Sequence, residues 1–567
     1  PAGTTVILGT ARNAALAAPR PWADVRYIED LGAVGNGVVD STAAIQAAAT
    51  SGLTYRMKPY GEYVVSSRIS CAAGFRLIGD GTQAILATSA FNNTSLNIAQ
   101  RYAANSVVFY ATGLQSGLYT PLDGFHLEGF AVRPLTTLAG KAVDVVAALN
   151  VKDFKAIGLE MSGFSLSRGI RFATLSGDSQ IVDNFIHDFT DNTDWGVGTV
   201  PQITAVEGDN DRVNGVGSFG VRIENLRAWD MTVGATFLAA HGYQTDGLNI
   251  AGATETGKTS TTSGQAKGLD IRRVGEGVDH FGDAWMFSDT YIEDAYIYGF
   301  KLIHGASFNN VQNLHVYRAG LASVVIAGTS ISGGKDTKGN KFSGAIILRD
   351  VDPNGVFAAN STANIALVDN AGLVGKPVNN TVEGDCYNGA NGKYNYLDTS
   401  TGSGNVGKIR DLGPGATKRV LVQNGASSVR SGNPTLCRVY LAGAQNAVTA
   451  AYTKILFDTV SFDHRGEWDA VNNRWLCQMS GYYSFSAKTR IGTSAAGKVF
   501  TMSIYKDGAL ISVEGENYDA NDLVVACADK VFVLEGSYVD ARIYNGDTVD
   551  RAMTVGSAYT SMTIESA

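Results

Sequence analysis

Short strand-like segments that recur around an aligned glycine restrict the fold of this sequence more than any other feature. Four similar segments begin at Asp246, Glu276, Tyr298 and Ala319, and they align glycines at positions 247, 277, 299 and 320. A second set of strand-like segments lies between them. A period of roughly 20–25 residues with several short strands per repeat is typical of a solenoid. Because these repeats show almost no helical periodicity, the sequence predicts a parallel β-helix.

The composition agrees with a folded protein and excludes several classes of partner. Apolar residues make up 45% and charged residues 17% of the chain, which excludes a disordered chain. The net charge is −8 and no long basic run occurs, so we expect no nucleic-acid partner. No apolar run approaches the roughly 18 residues of a membrane span, so we expect no membrane insertion. The five cysteines are scattered and form no CxxC motif, so we expect neither a metal site nor a cofactor.

Changes in composition divide the chain into four predicted parts. Residues 1–24 are a linker, and residues 25–350 are the β-helix. Residues 351–450 are a β-rich connector. Residues 451–567 show alternating strands and hairpin signals such as Asn545-Gly546, which predict an antiparallel module. Inside the β-helix, residues 191–217 and 253–267 are interpreted as inserted loops.

The start of the predicted β-helix carries a family resemblance. Residues 31–48 (LGAVGNGVVDSTAAIQAA), 58–64 (KPYGEYV) and 77–81 (LIGDG) resemble the entry motif of the pectate-lyase-like superfamily, which many phage tailspike depolymerases share. In that superfamily a short helix caps a right-handed parallel β-helix. Here Asp40 and Ser41 offer capping oxygens for a helix over residues 42–49, which ends before Gly52. Such a helix would cover strand edges that otherwise invite aggregation. The motif implies a fold but no reaction.

The C-terminal part carries a second resemblance. The motifs FD at 462–463, WD at 468–469, NNRW at 472–475 and SGYYSF at 480–485 resemble the C1q/TNF-like jelly roll, whose members commonly trimerise. The two resemblances imply an all-β chain with a right-handed β-helix followed by an antiparallel jelly roll. Together they imply a phage tailspike: a homotrimer that binds a bacterial surface polysaccharide. We expect the chain to continue upstream of Pro1, where it would attach to other virion proteins, and to act at the host cell surface as part of the phage tail.

Residues with catalytic chemistry concentrate in the repeats after residue 241. In the alignment above, Asp246 lies one coil from Glu276, and Asp279 lies one coil from Lys301. Stacked carboxylates raise one another's pKa, so that one can hold a proton near neutral pH while the other stays ionised. Glycosidic hydrolysis needs such a pair. The sequence therefore predicts catalytic residues among Asp246, Glu276 and Asp279, with the pairing left open.

Several other residues are predicted to bind substrate. Lys301, His280, His304 and His241 flank the predicted acidic row, and Trp195 in the 191–217 insertion offers a ring on which a sugar could stack. Asp and Asn also cap the turns of β-helices, so each carboxylate alone fits a structural role as well.

Three functions remain open from the sequence. The first is hydrolysis of a capsular or extracellular polysaccharide by the paired carboxylates. The second is a polysaccharide lyase, in which Lys301, His280 or His304 removes a proton beside a uronate carboxylate. The third is a spike that binds glycan without catalysis.

Overall fold

The structure, a computed structural model, divides into two compact units. Unit 1 comprises Pro1–Gly320, Gly328–Asn340 and Ala371–Gly375, and unit 2 comprises Leu321–Ala327, Lys341–Asn370 and Lys376–Ala567. The structure describes residues 26–91, 107–115, 118–136, 144–164, 168–191, 203–209, 218–233, 240–245, 263–328, 335–353, 355, 362–369, 375–387, 391–411, 420–422, 427–431, 435–463, 466–478, 480–492, 497–517, 523–534 and 536–566.

Unit 1 is a parallel β-helix in which strands of successive coils stack into three ladders. We call these ladders faces A, B and C. The strands of face A are Arg26–Tyr27, Thr54–Arg56, Arg76–Ile78, Leu122–Glu128, Val151–Ile157, Gln180–Val182, Arg222–Glu224 and Gln265–Lys267. The strands of face B are Asn36–Asp40, Glu62–Val65, Ala84–Ala87, Ala131–Pro134, Glu160–Ser162, Phe185–His187 and Arg227–Trp229. The strands of face C are Ile69–Cys71, Val107–Thr112, Asp144–Leu149, Arg168–Ala173, Ile203–Asp209 and Ala240–Thr245.

Three long strands complete these ladders by bending from one face to the next. Asp270–His280 contributes to faces B and C, Met286–Leu302 to all three faces, and Asn310–Ala319 to faces A and B. Smaller pieces are the antiparallel pair Leu114–Gln115 and Leu118–Tyr119, the parallel pair Thr190–Asp191 and Thr232–Val233, and the strand Thr337–Lys338.

The bends between faces are made by single residues with left-handed backbone. At the corner between faces A and B, Asp183, Asn225, Gly268 and Asp289 have φ of 55°, 51°, 66° and 54°. Glycine, asparagine and aspartate adopt this conformation most readily. This requirement explains why these residue types punctuate the sequence at each repeat.

A helix over Thr42–Ser51 covers the first strand of face C, and this confirms the predicted capping helix. It ends where Gly52 takes a left-handed conformation. The Gln46 side chain donates to the carbonyl oxygen of Ser70 at 2.8 Å and accepts from the amide of Ser70 at 2.8 Å. The glutamine therefore satisfies the strand edge as a neighbouring strand would. The helix N-terminus is capped by Asp40, which accepts from the Thr42 amide, whereas Ser41 makes no capping bond.

Unit 2 contains further parallel coils and an antiparallel module. Its parallel ladders pair Ala322 with Ala363, Ala363 with Tyr394, and Tyr396 with Val420. The strands before the module are Ala322–Ala327, Lys341–Ser343, Ile347–Arg349, Ala363–Val368, Pro377–Val378, Thr381–Tyr387, Tyr394–Asp398, Asn405–Asp411, Val420–Val422 and Ser427–Ser431.

The module packs two main antiparallel sheets around one core. The first sheet orders Thr459–Asp463, Leu436–Tyr440, Ser561–Ser566, Gly481–Ile491 and Leu523–Val533. The second orders Trp468–Asp469, Arg474–Leu476, Tyr538–Asn545, Val499–Lys506 and Ala509–Asn517, with Tyr452–Lys454 also paired to Tyr538–Asn545, and a short pair joins Asn446–Ala447 to Arg551–Ala552. The core includes Trp475, Phe485 and Phe500, all essentially inaccessible to solvent. The all-β fold, with a parallel β-helix followed by a jelly roll, is confirmed.

Two predicted boundaries are wrong in detail. Within unit 2, parallel coils run to Ser427–Ser431 and antiparallel pairing begins at Leu436–Tyr440, so parallel coils also occur after residue 350 and the module starts before residue 451. The 191–217 segment is not one insertion, because Ile203–Asp209 is a strand of face C. These strands were not predicted because their apolar runs are short and lie between turns rich in glycine and asparagine.

All five cysteines are buried thiols. Within the described residues, no helix is long and apolar enough to cross a membrane.

Candidate active site

Face C carries two columns of residues that are paired across successive coils. The first column runs through Asp144, Arg168, Thr204, His241, Glu276 and Tyr298, and the second through Ala147, Arg171, Glu207, Gln244, Asp279 and Lys301. Between the columns, Val278 and Phe300 are fully buried in the core. Parallel strands lie about 4.8 Å apart, so members of one column are direct neighbours along the stack.

Glu276, Asp279 and Lys301 form a compact cluster on this face. Lys301 Nζ lies 3.1 Å from Glu276 Oε2 and 3.3 Å from Asp279 Oδ2. Only 9% of the Glu276 side chain, 4% of the Asp279 side chain and 16% of the Lys301 side chain is exposed. One ammonium group therefore bridges two nearly buried carboxylates. Because both oxygens contact the same nitrogen, Glu276 Oε2 and Asp279 Oδ2 are separated by at most the sum of these two distances.

Burial separates the proton affinities within this cluster. Burial raises the pKa of Asp279 to about 7, and Glu276 raises it as well, while Lys301 opposes the shift. Burial alone would lower the pKa of Lys301, but Asp279 and Glu276 outweigh it and hold that pKa above its usual value. Lys301 is consequently a cation at neutral pH, and Asp279 exchanges its proton there.

Tyr298 and His304 border the cluster. The ring centroid of Tyr298 lies 5.5 Å from Lys301 Nζ, and burial raises the pKa of its hydroxyl. His304 lies just after the strand Met286–Leu302 and has left-handed backbone. Its ring makes a T-shaped contact with the Phe281 ring, with the ring centroids 4.8 Å apart. Burial and then Lys301 lower the pKa of His304 to about 4. Its imidazole is therefore neutral at neutral pH.

His280 points into the core instead of the candidate site. It is fully buried, its Nε2 lies 3.3 Å from Asn309 Oδ1, and its ring packs against Trp285 and Phe287. Burial lowers the pKa of His280 to about 3. The prediction of a substrate-binding or proton-abstracting His280 is therefore wrong, because no solvent-facing atom is available for it.

The remaining predicted residues have different outcomes. Asp246 and Trp195 lie outside the described residues. His241 lies on face C by its backbone, but its side chain is outside the described part. The predicted alignment of Asp246 with Glu276 is wrong, because the residue paired with Glu276 in the preceding coil is His241.

A second charged cluster, not predicted from the sequence, lies on the same columns. Arg168 lies 3.4 Å from Asp144 and also contacts Glu207, while Arg171 lies 3.6 Å from Asp144 and 3.8 Å from Glu207. All four side chains are nearly inaccessible. A signal was present: Arg168-Gly-Ile-Arg171 repeats the outward-glycine-apolar-outward order of Glu276-Gly-Val-Asp279.

Face A, among the described residues, also combines a cavity with charged side chains. A cavity of about 550 Å³ on face A is lined by Arg76, His126, Lys155 and Asp178, among others. Its Lys155–Asp178 ion pair spans 3.6 Å and is well exposed, so solvent screens it. Within the described residues, no group of three or more His, Cys, Asp or Glu side chains could hold a metal ion.

The comparisons with known proteins concern the two architectures separately. Residues 25–233 match the family model "Rhamnogalacturonase A/epimerase, pectate lyase-like". No curated protein matches. The A-module of mannuronan C-5 epimerase AlgE6 from Azotobacter vinelandii is similar at 15% identity and a TM-score of 0.46, with 72% of this chain and 99% of that chain covered.

Two solved structures are similar to the smaller part of the chain. Eiger TNF from S. frugiperda has 11% identity, a TM-score of 0.19 and coverage of 24% of this chain and 93% of that chain. The globular domain of zebrafish complement 1qA protein has 12% identity, a TM-score of 0.18 and coverage of 23% of this chain and 94% of that chain.

Proposed function

We propose that this protein depolymerises a bacterial capsular or extracellular polysaccharide by glycosidic hydrolysis at face C. The family match over residues 25–233 supports the coarser statement that the chain modifies or binds carbohydrate. The observation that carries the finer proposal is the buried pair of carboxylates held by Lys301. Hydrolysis needs one carboxyl group that keeps a proton and one that does not.

The roles follow from the proton affinities. Asp279, with a pKa raised to about 7 by burial, gives its proton to the oxygen of the leaving sugar. Glu276, whose Oε2 lies 3.1 Å from Lys301 Nζ, is the carboxylate that attacks the anomeric carbon as the glycosidic bond breaks. Water then cleaves the resulting ester, and the ionised Asp279 takes the proton from that water. One water molecule is consumed for each bond cleaved.

The carboxylate spacing favours this double displacement. Both carboxylates accept from one Nζ, at 3.1 and 3.3 Å, and a hydrogen bond joins the Asp279 and Glu276 side chains directly. The two groups are therefore too close for the water that inverting enzymes place between carboxyl groups roughly 6.5–9.5 Å apart. Retention of configuration is therefore the expected outcome. Asp246 lies outside the described residues, so its catalytic role stays a prediction from the sequence.

A lyase is the second candidate. His304 is neutral at neutral pH and lies near the cationic Lys301, so it could accept a proton next to a uronate carboxylate. Lys301 itself is a poor base because its pKa is raised. The charges favour hydrolysis: the single ammonium group of Lys301 already contacts two carboxyl groups, so it has little positive charge to offer a uronate.

The experiment uses a panel of purified capsular and extracellular polysaccharides and measures polymer length and product mass. The unsubstituted protein should shorten one polymer and add one water per cleavage. Glu276→Gln and Asp279→Asn should each reduce the rate by about 10²-fold or more. Glu383→Gln, which alters the exposed pair of Glu383 with Lys408, is the control and should keep full activity.

Each other result contradicts a named part of the proposal. Persistent cleavage in both site variants, with folding intact, would show that the site is wrong. Unsaturated, ultraviolet-absorbing products would identify a lyase. Retention of polysaccharide without any loss of polymer length would identify a non-catalytic spike.

The biological setting is proposed from the two resemblances alone. We propose a phage tailspike that is a homotrimer, is attached to other virion proteins through an upstream segment, and acts at the host cell surface. Analytical ultracentrifugation of the full chain tests the trimer, which a monomeric mass would exclude.

A further inference from the structure

Face B carries two outward columns that combine aromatic rings with charged groups. One column runs through Phe185, Arg227, Asp270, Tyr291 and His315, and the other through His187, Trp229, Arg272, Glu293 and Tyr317. We call these ten residues the face B strip. The strip spans five successive coils, or about 19 Å at about 4.8 Å per coil.

Rings and a guanidinium group of the strip contact one another from Phe185 to Tyr291. The Phe185 ring lies 4.1 Å from the His187 ring and 5.0 Å from the Trp229 ring, measured between centroids. The Arg272 guanidinium lies 4.9 Å from the Trp229 centroid and 5.1 Å from the Tyr291 centroid. These contacts hold the side chains in fixed positions, so little conformational entropy remains to be lost when a ligand binds.

Hydrogen bonds fix the polar members of the strip as well. Arg272 donates two hydrogen bonds to the Asp270 carboxylate, at 2.7 and 3.0 Å. The Tyr291 hydroxyl donates to Glu293 Oε2 at 3.2 Å. The carboxylates and guanidinium groups therefore present oriented acceptors and donors beside the rings.

Packing of the β-helix core does not require these rings. The inward positions of the same strands are Ile186, Ala228, Ile271, Ile292 and Val316, all fully buried. The strip residues are instead partly exposed, and Arg227 is exposed. An ordered surface with aromatic faces beside oriented polar groups matches sugars, which combine C–H faces with a rim of hydroxyl groups.

We propose that the face B strip binds a segment of a neutral polysaccharide lying along the stack of coils. Arg227 and Arg272 balance Asp270 and Glu293, so the strip offers no net charge to a polyanion when the histidines are neutral. The inference rests on the proposed function, because it takes a polysaccharide as the ligand. It adds a binding site on a different face from the candidate active site.

The strip and the candidate active site share two strands. Asp270–His280 carries Arg272 on face B and Glu276 with Asp279 on face C, and Arg273 at φ 52° makes the bend between them. Met286–Leu302 carries Tyr291 on face B and Lys301 on face C. Each strand thus fixes a binding residue relative to a catalytic one.

Affinity electrophoresis tests the strip, with dextran and mannan as neutral probes and rhamnogalacturonan and alginate as acidic probes. All proteins carry Glu276→Gln, so that cleavage does not remove the probe. Trp229→Ala and Tyr291→Ala should each weaken retention of a neutral probe about tenfold or more. Tyr291→Phe keeps the ring and should keep most of the binding. Phe219→Ala removes a ring that is 62% exposed outside the strip and should change nothing.

Four results would overturn the strip. In the first, Trp229→Ala and Tyr291→Ala are retained as strongly as their parent; in the second, only acidic probes retain the protein. In the third, retention is lost only in variants whose melting temperature also falls below that of the parent. In the fourth, no probe retains the parent. Failure of the proposed hydrolysis looks different. There the parent is retained in a strip-dependent way, but the protein without Glu276→Gln cleaves none of the polymers.

Discussion

Asp279 and Lys301 occupy paired positions in consecutive coils of face C, and Lys301 Nζ lies 3.3 Å from Asp279 Oδ2. The same ammonium group contacts Glu276 at 3.1 Å. The pairing of these two strand positions therefore places Lys301 beside both carboxylates and affects the pKa of the candidate acid, Asp279. Its consequences can be measured.

Lys301→Met should move the activity optimum to higher pH and reduce the maximal rate by about 10²-fold or more. Lys301 lowers the pKa of Asp279, so without the cation that pKa rises and Asp279 keeps its proton to higher pH. The pH–rate profile measures this shift. Lys301→Arg keeps the charge and should retain the original alkaline limb, and an unchanged profile in Lys301→Met would contradict the role given to the cation.

Asp279 should make the folded protein less stable as the pH rises. Burial raises its pKa from 3.8 to about 7, so the folded state binds the proton more tightly than the unfolded state. That stabilisation is fully present below about pH 4 and is lost as the pH rises to about 7. Asp279→Asn removes the effect, so the melting temperature of the variant relative to the unsubstituted protein should increase between pH 4 and 7. A constant difference would show that Asp279 is not shifted upward.

Asn309→Ala should lower the free energy of unfolding by about 2–4 kcal/mol. The Asn309 side chain accepts from the Trp285 amide at 2.9 Å and donates to the Gly282 carbonyl at 2.9 Å and to Asn340 Oδ1 at 2.9 Å. Its removal leaves buried backbone groups without these bonds. Urea unfolding measures the loss, and Asn313→Ala, which removes an exposed asparagine paired with Asp289, should cost less than half as much.

The corners of the β-helix offer a reciprocal pair of substitutions. Ala284 and Gly220 occupy equivalent corners two residues before face A strands, with φ of 56° and 70°. Ala284→Gly should stabilise the protein by about 1 kcal/mol and Gly220→Ala should destabilise it by a similar amount, because a Cβ atom is unfavourable in left-handed backbone. The Cβ of Gly220→Ala meets no atom closer than 3.9 Å, so a clash adds nothing. Thermal unfolding measures both, and changes of the same sign would contradict this explanation.

The sequence contains enough information to predict the repeating unit. Because stacked strands keep one inward-outward order, the glycine alignment correctly pairs Val278 with Phe300 and Asp279 with Lys301. On face B the structure pairs Asp270 with Tyr291, one residue away from the spacing of the aligned glycines, because a register shift lies between Val274 and Glu276. The fourth aligned segment is out of register too, because Ala319 pairs with Ala295 and not with Tyr298.

The same reasoning fails where the coil length changes. His241-Gly242 and Asp246-Gly247 both fit the glycine alignment, and only the backbone pairing of His241 with Glu276 distinguishes them. The cluster of Asp144, Arg168 and Glu207 was missed for a related reason. The segments that separate these strands differ in length, so no fixed spacing connects them. Burial, which moves the pKa of Asp279 and removes His280 from the site, depends on neighbours that are distant in sequence.

The buried thiols give each unit its own chemical reporter of opening. Cys71 is the one cysteine of unit 1, and the other four belong to unit 2. A thiolate, not a thiol, reacts with alkylating reagents, and burial raises the pKa of Cys71 far above its usual value. Alkylation followed by peptide mapping would therefore time the exposure of each core separately, without any added label.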